Sequence, residues 1–161
     1  MNGLLKTSLV GLAFGALGLW YLWEDVPQTA PSLSALPMPP GVDLARGEAL
    51  YAASCAVCHG TNLEGQPDWQ TPDENGVFPA PPHNEDGHTW HHGNDLLFDY
   101  IKFGGAEAMA RAGIGDFASG MPPFEGVLSD PEIWDILAFI QSTWSPRIKE
   151  IQRARSEDQQ L

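Results

Sequence analysis

The longest apolar run of the chain has no helical or strand period. Thr7 to Trp23 is a stretch of 17 residues without a charged side chain, preceded by Lys6 and followed at once by Glu24 and Asp25. At about 1.5 Å per residue it covers roughly 25 Å, and Leu4 and Leu5 bring it close to the roughly 30 Å of a hydrocarbon core. It ends in Trp20, Tyr21 and Trp23, aromatics suited to a membrane interface, where a cleaved leader would show small residues. Residues 1–23 are therefore expected to be an uncleaved signal-anchor helix with Lys6 inside and the rest of the chain outside. Gly11 and Gly15 form a GxxxG, but glycine is common in membrane helices and a packing face is the weaker reading. Residues 24–42 carry Pro27, Pro31, Pro37, Pro39 and Pro40 and no apolar period, which reads as a semi-rigid linker.

Beyond the linker the apolar positions recur at helical spacing. Asp43 is placed to cap a helix through Leu44, Ala45, Leu50 and Tyr51, with Gly47 leaving space for a second helix to cross closely. Asn94 reads as the cap of a helix carrying Leu97, Phe98 and Ile101, stopped at Gly104-Gly105. Ser129-Asp130-Pro131-Glu132 is a capping box before Ile133, Ile136, Leu137 and Ile140, which share one face. Ser145-Pro146 is placed to open a further helix, with Arg147, Lys149, Arg153 and Arg155 set against Ile148 and Ile151. No alternating run demands a strand. The expected fold class is all-α: a domain over 43–145 with three main helices and long loops, followed by a charged, helical tail over 146–161.

Charge changes the picture of the partners. Residues 43–145 hold 16 acidic and 3 basic side chains, a balance that disfavours nucleic acid and anionic lipid and favours protein partners with a basic docking patch. The tail is the opposite, holding four of the chain's eight basic residues. It reads as a solvated helix, with contact to a partner or to headgroups as the sharper alternative. About 100 residues suit a single core and leave no room for a second catalytic domain.

The chemistry concentrates at Cys55-Ala-Val-Cys58-His59, which contains the only two cysteines. Two thiols at this spacing suit addition to the vinyl groups of one haem, with the adjacent histidine placed to bind its iron. A zinc site would need a second pair of ligands, and no other cysteine exists. A thioredoxin-like dithiol would want a βαβ context, and the flanks here are helical.

Gly47-x-x-x-Tyr51-x-x-x-Cys55-x-x-Cys58-His59, then Met121-Pro122-Pro123-Phe124, then the Leu137-Ala-Phe-Ile140 helix together resemble the monohaem class I cytochrome c family over residues 43–145. The resemblance implies one covalent haem c with thioether links at Cys55 and Cys58, His59 as proximal ligand and Met121 as the second axial ligand. It also implies that Ala80-Pro81-Pro82 supplies a backbone carbonyl that orients the proximal histidine, with Pro82 taken as the haem-side residue. The chain departs from short members of the family by a polar insertion between Gly65 and Phe78. A His/Met pair raises the reduction potential and closes the iron to substrates, which separates a carrier from an enzyme.

His83, His88, His91 and His92 fall within ten residues. The bland reading is a segment that wraps the haem, with His88 or the Trp90 indole bonding a propionate and the others exposed; the alternatives are an accessory copper or zinc site, or an axial ligand in place of Met121 or a redox-linked proton site. The function expected on these grounds is a membrane-tethered single-electron carrier on the periplasmic side of a bacterial inner membrane. It would pass electrons from a respiratory or photosynthetic donor complex to an oxidase, reductase or reaction centre. The alternative is a fixed haem subunit of a larger oxidoreductase complex; a haem peroxidase and a histidine-cluster metal module rank below both.

Overall fold

The computed structural model describes residues 38–158. The expected anchor and most of the linker lie outside the described residues. Among those described, no helix is long and apolar enough to cross a membrane.

Six α-helices carry the described chain: α1 Leu44–Ser54, α2 Ala56–His59, α3 Asn94–Phe103, α4 Gly105–Arg111, α5 Asp130–Ser142 and α6 Pro146–Asp158, with a 3-10 turn at Thr89–His91. No strand forms among these residues, as the absence of alternation anticipated. The expectation of three main helices holds for α1, α3 and α5, and α6 appears where Ser145-Pro146 placed it.

The starts of α1 and α5 follow their local sequence. The Asp43 side chain accepts the Arg46 N–H at 3.0 Å. At Ser129 the reciprocal box is complete, since the Ser129 N–H donates to Glu132 Oε2 at 2.8 Å while the Ser129 side chain takes the backbone N–H of Glu132. The two helices then cross at Gly47, where the backbone of α5 passes so close that no side chain fits. Asp135, on α5 and 1 % exposed, ties the crossing down: it accepts the Asp43 N–H at 2.7 Å and pairs with the Arg46 guanidinium. Burial raises the Asp135 pKa, but those two donors outweigh it and hold the carboxyl below its ordinary value.

Ile133, Ile136, Leu137 and Ile140 of α5 are all buried, as their spacing predicts, and pack with Tyr51, Leu97, Ile101 and Trp144 into one core. The start of α3 departs from expectation. Gly93 is the cap, and Asn94 is the first helical residue. The Asn94 side-chain oxygen accepts from Gln141 and Gln152, both at 2.7 Å, and its N–H donates to Ser156 Oγ at 3.1 Å. Through Gln152 and Ser156, which are 3 % and 2 % exposed, α6 docks on the body. The tail read as a solvated helix is therefore packed on one side.

Candidate functional site

The thiol-histidine motif sits where α1 turns into α2. The Cys55 and His59 N–H groups donate to the Tyr51 and Cys55 carbonyls at 2.8 and 2.9 Å, so Cys55 joins the two helices and Cys58 and His59 lie on α2. Cys55 is buried, Cys58 is exposed, and the two are not joined in a disulfide. Between them Val57 is 85 % exposed. Burial, then the neighbouring Cys58, pushes the Cys55 thiol up to about 11, the opposite of the depressed value a thioredoxin-like nucleophile requires. Among the described residues no three His, Cys, Asp or Glu side chains converge as a metal-binding set, so nothing there completes a zinc site around the two thiols.

His59 is 8 % exposed, and its Nδ1 lies 2.8 Å from the carbonyl oxygen of Pro81. That bond requires Nδ1–H as donor and leaves Nε2 as the nitrogen with a lone pair for iron. Burial lowers the His59 pKa, partly opposed by the Pro81 bond, which favours the neutral ring that a metal ligand requires. The carbonyl is that of Pro81, inside the Ala80-Pro81-Pro82 stretch that the resemblance implies. Pro82 is buried behind it, and its own carbonyl accepts from Thr89 Oγ1 at 3.4 Å. A Pro-Pro pair offers no local signal for which carbonyl turns inward. The Tyr51 hydroxyl, buried beneath the motif, donates to the Gly60 carbonyl at 3.0 Å and fixes the end of α2.

Met121 is half-buried against the same apolar cluster that contains Cys55 and onto which Trp90, Phe98 and Phe124 pack. Its loop is pinned to the end of α3. The Gly105 N–H donates to the Met121 carbonyl at 3.2 Å, the Phe124 N–H to the Ile101 and Lys102 carbonyls at 3.1 Å, and the Glu125 N–H to the Lys102 carbonyl at 2.9 Å. These bonds satisfy carbonyls that a helix C-terminus leaves open and so fix the methionine backbone.

The histidines separate into two groups. His83 is half-buried and stacks on His59, ring centroids 4.0 Å apart; its Nδ1 bonds Thr89 Oγ1 at 2.6 Å, and its carbonyl accepts the Trp144 indole N–H at 2.7 Å. Sequence reading grouped it with the exposed cluster and missed this contact with the motif, which no local pattern signals. His88, His91 and His92 stay together on the turn beyond. The Trp90 N–H donates to the Glu85 carbonyl at 3.1 Å.

This donor set fits a c-type haem: two thiols outside any disulfide, a neutral imidazole with Nε2 left over, and a methionine on a backbone-pinned loop. The comparisons with known proteins agree. Residues 42–140 match the family model described as cytochrome C oxidase, cbb3-type, subunit III. The cbb3-type cytochrome c oxidase subunit FixP of Bradyrhizobium sp. (strain ORS 278) is 31% identical over 135 residues, which cover 81% of this chain and 39% of the relative. The chain thus spans well under half the length of that curated relative. No solved structure matches it. With more than half of its length inside that family model, the chain belongs to the family of cytochrome c oxidase, cbb3-type, subunit III, a family of c-type cytochromes in which haem c carries electrons.

Proposed function

We propose that the protein is a haem c subunit of a membrane oxidase complex, passing single electrons through one haem bound covalently at Cys55 and Cys58 and ligated by His59 and Met121. The observation that carries this reading is the family match over residues 42–140, supported by a relative whose name places it in a cbb3-type oxidase. Haem held there supplies the one-electron couple of its iron. The chain's own residues do the rest. Pro81 fixes the His59 tautomer through the Nδ1 bond, and such a partner raises the basicity of the ligating nitrogen. The backbone bonds of the 121–125 loop hold Met121, whose thioether would favour ferrous iron once haem is bound. The acidic surface over 43–145 suits docking on a basic face of the electron donor. Residues 1–23 anchor the subunit and place the haem domain on the periplasmic side, and the proline-rich linker spaces it from the bilayer.

Of the two electron-transfer readings open at the outset, the comparisons favour the fixed subunit over the free carrier. Extraction of native membranes in mild detergent followed by affinity capture of this chain distinguishes them. Stoichiometric recovery with the other subunits of an oxidase is the expected result, and recovery alone with full haem content would contradict it.

A further inference from the structure

His88, His91 and His92 play no part in the haem site described above, yet they are held together on a fixed backbone. The His91 and His92 N–H groups donate to the His88 and Thr89 carbonyls at 3.0 and 3.2 Å, and Gln152 of α6 donates to the His92 carbonyl at 3.2 Å. On this frame the Nε2 atoms of His88 and His92 lie 2.9 Å apart, with ring planes at 77°. The His91 ring lies 5.3 Å from that of His88, centroid to centroid, and stacks on Trp90 at 3.7 Å. His88 and His91 are exposed, so a solute reaches them from outside.

Two imidazole nitrogens at this separation share either a proton or a cation. We propose that His88 and His92 form a surface site for one copper(II) ion, with its remaining positions open to solvent or a partner. Two nitrogens about 2.05 Å from a metal stand about 2.9 Å apart when the bonds are at right angles, and about 3.3 Å apart at the tetrahedral angle. The spacing found is that of cis ligands in a tetragonal site, the arrangement copper(II) prefers, and imidazole is among its favoured donors. Without metal the pair is an N–H···N hydrogen bond, and one ring needs only to move its proton to Nδ1 to free the second lone pair. Burial, then His88 and His91, lowers His92 to about 4, and burial, then His91, lowers His88, a direction that favours neutral imidazoles. The Arg155 guanidinium also acts on His92 and opposes a cation; the imidazole donors have to offset it.

The test uses the oxidised full-length holoprotein in detergent, titrated with copper(II) against a chelating indicator and followed by electron paramagnetic resonance. The expected result is one copper per chain with nitrogen hyperfine structure. His88→Ala and His92→Ala should each lose that copper. Removing even an outer-shell partner weakens metal sites about 10- to 100-fold, so loss of a ligand should cost at least about 100-fold in affinity. Unchanged haem absorbance in each variant shows that the fold is intact, and His88→Gln at the exposed partner serves if His92→Ala does not accumulate. The proposal is overturned if the wild-type protein takes up no more copper than the variants, if the variants keep the nitrogen signal, or if zinc binds in preference to copper.

Discussion

A Cβ atom at position 47 would lie 2.0 Å from the carbonyl oxygen of Asp135. Gly47 on α1 and Asp135 on α5 thus set the closest approach of the two helices that frame the domain, and the Cys55–His59 motif begins two turns further along the chain. Gly47→Ala should force the helices apart and cost about 1 to 3 kcal/mol, the usual penalty for overpacking a fitted interface. Thermal unfolding of the holoprotein reads this directly, and an unchanged midpoint would show that the crossing has slack.

The same crossing carries a pH dependence. The folded pKa of Asp135 lies below its ordinary value, so its contribution to stability is fully present above that ordinary value, near 4, and is lost as the pH falls through the folded value. Glu132, held down by Ser129, and Asp73, held down by the Val77 and Asn75 N–H groups, act in the same direction. Asp135→Asn should therefore be less stable than wild type at pH 7, with the difference shrinking toward pH 3. Unfolding midpoints measured across that range check it; a constant gap would contradict the assignment.

Gly65 has a left-handed φ of +69°, and a Cβ there would meet the Pro82 nitrogen at 2.4 Å and the Pro81 carbonyl carbon at 2.7 Å. Gly65→Ala should push the Pro81 carbonyl off His59 Nδ1 while leaving the haem attached. A less strongly bonded imidazole is a weaker donor, so the reduction potential should rise. Equilibrium redox titration gives the answer, and an unaltered potential with a normal spectrum would separate the Pro81 bond from redox tuning.

Met121→Ala should abolish the sulfur-to-iron charge-transfer band of the oxidised protein and lower the potential by a tenth or more of the roughly 0.8 V range that axial ligands span. Persistence of the band would assign the second axial position elsewhere.

What could be read in advance was what is encoded locally. Asp43 and the Ser129–Glu132 box announce their helices because the capping atoms are neighbours in sequence, and the Ile133–Ile140 stripe is a period any core-facing helix shows. Asn94 has the same chemistry as a cap, but its side chain serves Gln141 and Gln152, 47 and 58 residues away, and sequence gives no sign of that. The docking of α6 was hidden for the same reason, since Gln152 and Ser156 are buried polar residues that carry no apolar period. Helix α4 is short and begins at the glycine pair that was read as a stop. At the site, the Cys55–His59 motif and the Ala80-Pro81-Pro82 stretch stand out in the sequence, whereas which carbonyl of that stretch meets His59 and the stacking of His83 on His59 depend on how the 65–83 loop returns to the motif.

Attachment of one haem to Cys55 and Cys58, with His59 on its iron, is tested most directly by spectrum and mass. Protein isolated from cells competent in haem attachment should show a pyridine haemochrome of the c type at one haem per chain. After denaturation its mass should exceed that of the polypeptide by one haem, carried on the peptide containing residues 55–59. A colourless product with two titratable free thiols would contradict the account.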